Sequence, residues 1–336
     1  MKKFVIKISF ALLPLLILFF LGYYLVKIHR WGGDIGVLGR YFFEQNYIKK
    51  WHYSKKGGDY VKAISFDTHL NKKYDIIFIG DSFTYYAENS YGFKSVFSNL
   101  LKDSVLYDKS WEICTPEQRF VNMLRNNDCL PRFAIVESVE RDFIKRLSDL
   151  DFNYDIQAVS ETKPNKKGEQ DISQDIKLIL DMYKKILGFY DNPIKRANLA
   201  YNKFSAKGDE KKLYFYFADL NFPESNEIDY ALQKLDTLNN MANQKGVTLI
   251  YMVACDKYDF YQKYIVDNMF PPQKTLDDFS AKVRIPHFVN TKKVLDSADK
   301  QGIIDIYWVD DTHWSQTGSR IVGEYLYNYM KNFTDF

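Results

Sequence analysis

Two short segments, far apart in the chain, carry the residue types needed for serine-based acyl transfer. In Gly80-Asp81-Ser82-Phe83-Thr84 the serine follows an apolar run, Ile76–Ile79, and offers a hydroxyl as nucleophile. Asp311-Thr312-His313-Trp314 supplies an imidazole and, two residues before it, a carboxylate. A serine hydroxyl is a weak nucleophile unless a base accepts its proton, and that base needs an acid that orients it. The two segments together therefore predict a nucleophile, a base and an acid.

Each segment also has an ordinary structural interpretation. Gly-Asp-Ser is a common turn sequence, and a histidine beside an aspartate is more often a surface or core group than a base. Asp310 competes with Asp311 for the acid, since a small change in the loop path would exchange the two. Trp314 either packs the loop or forms a wall of an acyl pocket. These alternatives stay open at the level of the sequence.

Apolar runs predict the strands that would bring the two segments together. The predicted strands are Asp75–Ile79, Ser104–Tyr107, Phe133–Val136, Val247–Ala254 and Gly302–Val309. Helix-length segments separate them, among them Ile228–Gln244 with Gly246 as its C-cap, and this alternation is typical of βαβ units with a parallel sheet. Ser82 follows the first strand and Asp311 the fifth, and ligands of such sheets bind at the carboxyl ends of the strands. We therefore expect the two residues to meet.

The N-terminus has the pattern of a membrane anchor. Ile8–Val26 contains no charged residue and as a helix would span roughly 28 Å, close to the ~30 Å core of a bilayer. No small-residue cleavage site follows, which favours an uncleaved signal-anchor over a cleaved signal peptide. We predict an anchor (1–30), a linker and packing arm (31–71), and an extracytoplasmic catalytic domain (72–336). A charged insertion at about 148–212 would contain an amphipathic helix, Asp175–Leu187.

Charge and cysteine content exclude some function classes. The net charge of +3 is too small to indicate nucleic-acid binding. The three cysteines, Cys114, Cys129 and Cys255, lack the spacing of a metal site and allow at most one disulfide, between the first two. We predict no metal, no cofactor and no phosphate-binding glycine loop.

The ordered pair of segments resembles the SGNH/GDSL hydrolase superfamily. More narrowly, it is similar to the membrane-associated polysaccharide O-acetyltransferases of that superfamily, the alginate O-acetylation proteins among them. The resemblance places the nucleophile at Ser82 and the acid and base at Asp311 and His313. It implies a flavodoxin-like, three-layer α/β fold with a central parallel sheet of about five strands. It covers roughly residues 72–330, and its specific motifs are confined to the two segments.

The chain departs from the family pattern at the oxyanion hole. The superfamily has a glycine in a second block and an asparagine in a third, whereas here the corresponding strands are followed by Lys109-Ser110-Trp111 and Glu137-Ser138-Val139-Glu140-Arg141. The candidate oxyanion donors are therefore Ser82, Ser110 and Arg141. Arg141 would equally well form an ion pair with Glu137 or Glu140.

Motif order is a second departure. The alginate proteins carry their Asp-x-His pair ahead of the serine, whereas here it follows, as in the general superfamily. The usual Asp-x-x-His spacing of that superfamily would select Asp310 as the acid. The exact branch and the choice of acid therefore stay open.

The resemblance implies an O-acyltransferase, with acetyl as the expected group, that acts on an extracytoplasmic polysaccharide through an acyl-Ser82 intermediate. It also implies a multipass membrane acyltransferase as the partner that donates the acyl group. Tyr85, Trp111 and Trp314 are candidate sugar-stacking residues. Two alternatives use the same fold: a glycan esterase with water as acceptor, and a catalytically silent glycan-binding or assembly protein.

Overall fold

A computed structural model of the chain describes residues 12–14, 16–24, 33–35, 61–64, 75–85, 92–103, 105–108, 114–126, 129–154, 180, 184 and 192–333. The strands are β1 (Val61–Ile64), β2 (Ile76–Ile79), β3 (Val105–Asp108), β4 (Phe133–Val139), β5 (Ile194–Asn198), β6 (Lys212–Tyr216), β7 (Thr248–Ala254) and β8 (Phe288–Asn290). The helices are α1 (Ser82–Tyr85), α2 (Phe93–Leu101), α3 (Pro116–Asn126), α4 (Glu140–Ser148), α5 (Ser225–Gln244), α6 (Lys257–Tyr261), α7 (Thr275–Lys282), α8 (Thr291–Lys300) and α9 (Gln316–Met330).

Six of these strands form one parallel sheet in the order β1-β3-β2-β4-β7-β8. Strands β2, β3 and β4 are buried along their whole length. Such continuous burial is typical of parallel sheets that are covered by helices on both faces, and it requires nearly uninterrupted apolar runs such as Ile76–Ile79. Without the edge strand β1, the order β3-β2-β4-β7-β8 is that of flavodoxin-like folds. In these folds successive strands are added first on one side of β2 and then on the other, so the direction changes between β2 and β4.

The helices pack in two groups, one on each face of the sheet. On one side α2 and α8 pack against α9, and on the other α3, α4 and α7 pack against α5. This division follows from the right-handed βαβ connection, because crossovers that run in opposite directions from β2 lie on opposite faces of the sheet. The result is a helix–sheet–helix sandwich with its apolar core on both sides of β2, β4 and β7.

The structure confirms the α/β class, the central parallel sheet and four of the five predicted strands. The prediction for Gly302–Val309 was wrong, because this segment contributes only a single bridge, Tyr307 to Trp314. Gly302 and Asp305 have φ angles of 78° and 56°, and such left-handed residues interrupt an extended strand. The edge position beside β7 belongs instead to β8, which at three residues is too short to give a sequence signal.

Two parts of the predicted domain organisation look different in the structure. The segment predicted as linker and packing arm contains β1, which pairs with β3 at the sheet edge. Within the predicted insertion, β5 and the start of β6 form an antiparallel hairpin outside the main sheet. Of the helix predicted at Asp175–Leu187, only residues 180 and 184 are described, and both are helical.

The predicted anchor lies mostly outside the described residues. Residues 12–14 and 16–24 are helical, and within the described parts of the chain no helix has the length and apolar character needed to cross a bilayer. Cys114, Cys129 and Cys255 are all free thiols, so the disulfide considered between the first two is not present.

Candidate active site

The turn that carries Ser82 is held by the buried carboxylate of Asp81. Its Oδ1 accepts a hydrogen bond from the backbone N–H of Phe83 at 3.1 Å, the pattern of an Asx turn. Its Oδ2 accepts from the N–H of Val139 at 2.9 Å and from Nη1 of Arg146 at 2.7 Å. Burial would raise the pKa of Asp81, but the charge and hydrogen bond of Arg146, together with the N–H groups of Phe83 and Val139, lower it. Ser82 is thereby fixed, half-buried, as the first residue of α1.

A second buried acid, Glu137 of β4, supports the same turn from below. Its Oε2 accepts hydrogen bonds from the Asp81 N–H at 3.2 Å and from Oγ1 of Thr84 at 2.8 Å. Burial, and next the charge of Asp81, raise the pKa of Glu137 well above its usual range, which favours the neutral form of this carboxyl. Gly80 allows this close packing, because a Cβ there would lie 2.1 Å from Thr84 Oγ1.

The loop that carries His313 is closed like a hairpin just before α9. Tyr307 and Trp314 form an antiparallel bridge, and the N–H of Ser315 donates to the carbonyl of Ile306 at 3.0 Å. Ser315 then caps α9, its Oγ accepting from the N–H of Thr317 at 2.9 Å. The chain between the two sides of the bridge must therefore turn sharply, and Asp310–His313 lie in that turn.

A buried lysine holds the inner side of this loop. Nζ of Lys257, at the start of α6, donates to the main-chain carbonyls of Trp308 at 2.5 Å, Val309 at 3.0 Å and Asp311 at 3.0 Å. Lys257 is completely buried, and burial lowers its pKa to about 8. These loop carbonyls lie outside the strands of the sheet, and the hydrogen bonds from Lys257 satisfy them and so define the path of the loop.

Asp311 is the carboxylate that orients His313. Its Oδ1 lies 2.6 Å from Nδ1 of His313 and also accepts the His313 backbone N–H at 2.9 Å. In the neutral imidazole this contact keeps the proton on Nδ1 and the lone pair on Nε2. Burial by itself would lower the pKa of His313, but the charge of Asp311 and its hydrogen bond raise it above the ordinary value of 6.5.

Asp310, the competing acid, points elsewhere. Its Oδ2 accepts the backbone N–H of Gly33 at 2.8 Å. Burial raises the pKa of Asp310 to about 6, against the opposing effect of that hydrogen bond. The structure therefore pairs His313 with Asp311, and the side chain of Asp310 fastens the N-terminal segment.

Phe83 joins the two halves of the candidate site. Its ring centroid lies 4.9 Å from that of the His313 imidazole and 4.8 Å from that of Trp314. Because Phe83 directly follows Ser82, this contact places the serine turn beside the Asp311–His313 pair. Ser82 follows β2, next to the point where the strand order reverses, which is where such sheets bind ligands.

The predicted sugar-stacking residues have different outcomes. Trp314 is 2% exposed and packs edge-on against Phe83 and Phe93, so it packs the loop and presents no face to a sugar. The prediction of a stacking role for Trp314 was therefore wrong. Tyr85 is the last residue of α1, and its ring is not among the described groups. Trp111, like the candidate oxyanion donor Ser110, lies outside the described residues.

Arg141 lies in a buried ion-pair network. Its Nη1 donates to Asp256 and, at 3.3 Å, to Asp219, and both aspartates are fully buried. Its guanidinium also lies 5.3 Å from the ring centroid of Tyr216. The ion pair expected with Glu137 or Glu140 thus forms with other acids, which hold Nη1 of this guanidinium.

Sequence reasoning missed Asp34. Its Oδ1 accepts the N–H of Thr312 at 2.8 Å, its Oδ2 accepts the hydroxyl of Tyr216 at 3.0 Å, and Oδ2 lies 3.9 Å from Nδ1 of His313. Residues near it were interpreted as a linker because they lack hydrophobic periodicity, and a lone Gly-Gly-Asp offers no motif. Only the fold brings this residue to the site.

Two groups of side chains in the described residues have ligand atoms close enough to share a metal ion: Asp34 with Asp311 and His313, and Glu140 with Cys255 and Asp259. In the first group, hydrogen bonds within the site already engage the carboxylates. In the second group, Nζ of Lys292 lies 2.8 Å from Asp259 and supplies a positive charge.

Comparison of this chain with protein-family models, with curated proteins and with solved structures finds no match.

The raised pKa of Glu137 leads to a test by substitution. Glu137→Gln keeps an acceptor for Asp81 and Thr84, and we expect it to change the free energy of unfolding by less than about 1 kcal/mol. Glu137→Leu leaves both donors buried without an acceptor, at about 1–3 kcal/mol each. Denaturant unfolding followed by circular dichroism measures both, with the exposed Glu324→Gln as control. Equal losses for the Gln and Leu variants would show that Glu137 is charged in the fold.

Proposed function

We propose that this protein is an SGNH-type serine acyltransferase with Ser82 as nucleophile, His313 as base and Asp311 as acid. The observation that carries the proposal is the 2.6 Å contact between Asp311 and His313, in a loop whose imidazole packs on the residue after Ser82. The flavodoxin-like strand order, with Ser82 directly after β2, supports the same assignment.

In the proposed first half-reaction, Oγ of Ser82 attacks the carbonyl carbon of an acyl donor while Nε2 of His313 accepts the hydroxyl proton. The Asp311 carboxylate stabilises the imidazolium that forms. The donor's leaving group then departs with the proton from His313, which leaves acyl-Ser82. The backbone N–H of Ser82, at the start of α1, is the candidate oxyanion donor among the described residues.

In the second half-reaction, His313 removes the proton of an acceptor hydroxyl, whose oxygen attacks the acyl carbon of acyl-Ser82. The acyl group passes to the acceptor, and Ser82 recovers its proton from His313. We propose that the acceptor is a sugar hydroxyl of an extracytoplasmic polysaccharide, that the acyl group is acetyl, and that a multipass membrane acyltransferase supplies it. These assignments are supported by the resemblance of the two motifs.

A membrane location for this reaction is supported by the N-terminal residues. The described part of the predicted anchor, residues 12–14 and 16–24, is helical, and large apolar side chains such as Ile17 and Phe20 are more than half exposed on it. Exposed apolar residues all around a helix are typical of a segment that is covered by lipid. We propose a single-pass anchor that leaves the catalytic domain outside the cytoplasm.

The triad is tested with the full chain in detergent and a chromogenic acetyl ester. We expect Ser82→Ala and His313→Ala to lower kcat by at least about 10³-fold, and Asp311→Asn by up to about 10⁴-fold, because the wrong tautomer forms. Asp310→Asn should retain far more activity, since it keeps an acceptor for Gly33. The exposed Ser205→Ala is the matched serine control.

Intact mass and product analysis separate the related functions. An acetyl adduct on Ser82 that transfers to a glycan oligomer supports the transferase, whereas rapid release to water regardless of glycan indicates an esterase. Turnover that persists in Ser82→Ala, or a folded wild-type protein that forms no adduct, would overturn the proposal and favour a glycan-binding role.

The raised pKa of His313 predicts the pH profile of the reaction. The imidazole acts as base only when it is neutral, so kcat/KM should fall as the pH drops through the pKa of His313. Because that pKa lies above its ordinary value of 6.5, we expect the half-maximal rate above pH 6.5. A stopped-flow or steady-state profile from pH 5 to 9 measures it, and a midpoint below pH 6 would contradict the charge arrangement described here.

A further inference from the structure

We propose that Asp34 is a positioning residue of this site: it holds the turn that contains Asp311 and His313, and its charge acts on the imidazole. The inference rests on the proposed function, because it assigns His313 the part of the base. It adds to the site a residue that is far from both motifs in sequence and comes before the first strand of the parallel sheet.

Three hydrogen bonds place Asp34 against the catalytic turn and the hairpin. Its Oδ1 accepts the N–H of Thr312, the residue between the acid and the base, at 2.8 Å. Its own N–H donates to Oδ2 of Asp311 at 3.4 Å, whereas His313 contacts Oδ1 of the same carboxylate. Tyr216, at the end of β6, donates its hydroxyl to Asp34 Oδ2 at 3.0 Å. Asp34 thus ties the turn to two other parts of the fold.

The residues on either side of Asp34 show that this segment is docked tightly. The N–H of Gly33 donates to Asp310 at 2.8 Å, and a Cβ at Gly33 would lie 2.4 Å from the Asp310 carbonyl oxygen and 2.6 Å from Cβ of Asp311. Ile35 is completely buried in the core. A glycine at the point of closest approach and an apolar residue beyond it fix the register of Asp34.

The charge of Asp34 acts on His313 at short range. Its Oδ2 lies 3.9 Å from Nδ1 of His313, close enough for a carboxylate to favour the imidazolium. Among the described residues, the charged groups with the largest effects on His313 are Asp311 and Asp34, which raise its pKa, and Arg141, which lowers it. Asp34 therefore serves as a second carboxylate for the cation that forms during acyl transfer.

The state of Asp34 changes near neutral pH. Burial, and next the charge of Asp311, raise its pKa to about 7, against the effects of His313, the Thr312 N–H and the Tyr216 hydroxyl. When Asp34 is ionised, proton uptake by His313 is favoured. When Asp34 is protonated, that support weakens while the hydrogen bond from Thr312 is retained.

The variant Asp34→Asn separates a purely structural role of Asp34 from a role in positioning and charging the imidazole, because only the second role changes the pH dependence of the reaction. Asparagine keeps an oxygen acceptor for the Thr312 N–H but carries no charge. We expect the acidic limb of kcat/KM to move to lower pH by about one unit, because a nearby carboxylate shifts a pKa by 1–3 units at close range. We expect kcat to fall less than about tenfold in this variant and more than tenfold in Asp34→Ala, which also loses the acceptor.

The exposed Asp278→Asn on α7 is the control for an aspartate-to-asparagine change. We expect its pH profile to match that of the wild type. An unshifted limb in Asp34→Asn would overturn the electrostatic part of the proposal. Equal kcat values for Asp34→Ala and the wild type would overturn the positioning part.

A second readout does not depend on turnover. In a Ser82→Ala background, NMR of the full chain with ¹³C-labelled histidine follows the pKa of His313, which His313→Gln identifies among the five histidines. We expect Asp34→Asn to lower that pKa, and no change would overturn the inference even where Ser82-dependent turnover is present. If the shift is observed but the wild type shows no Ser82-dependent turnover, the proposed function fails and the coupling of Asp34 to His313 stands.

Discussion

The site depends on one type of interaction, the hydrogen bond from a main-chain N–H group to a buried carboxylate. The carboxylate of Asp81 accepts the N–H of Phe83 in the serine turn and that of Val139 at the end of β4, and the carboxylate of Asp311 accepts that of His313. Asp34 and Asp310 accept the N–H groups that fasten the N-terminal segment to the turn that contains His313. Loops at the end of a parallel sheet have no strand partners, so each buried N–H group needs another acceptor, and a carboxylate is the strongest that a side chain offers. The positions of Ser82 and His313 follow from these bonds.

Burying so many carboxylates carries a desolvation penalty, and the structure reduces this penalty in two ways. Some carboxylates face a partly buried cation that lowers their pKa, as Asp81 faces Arg146. Others have raised pKa values that favour the neutral form, as Glu137 and, despite the nearby Arg141, Asp256 do. A neutral carboxyl accepts hydrogen bonds without the desolvation penalty of a charge. Charge is thereby kept where it acts on the imidazole, at Asp311 and, in its ionised state, at Asp34.

The site is assembled from parts of the chain that are far apart in sequence. The serine turn follows β2, and Asp311 and His313 lie in the loop before α9. Lys257 comes from the start of α6, and Asp34 precedes the first strand of the sheet in the chain. The antiparallel hairpin of β5 and β6 contacts the site through Tyr216, whose hydroxyl donates to Asp34. Loops that are cross-linked in this way hold their side chains in place, which suits the proposed triad, whose function would depend on the position of one imidazole.

The sequence by itself determined the fold class and the two chemical segments. Apolar runs such as Ile76–Ile79 must be buried on both faces, and Gly-Asp-Ser directly after such a run places Ser82 at the end of a strand. The choice of Asp311 over Asp310 and the burial of Trp314 could not be read from the sequence. Neighbouring residues of a loop differ in direction only through their tertiary contacts, here the N–H of Gly33 and the ring of Phe83. The same holds for Asp34 and for β8, because a single carboxylate or a three-residue strand carries no periodic pattern. Only packing, which brings distant backbone N–H groups within reach of a carboxylate, decided those positions.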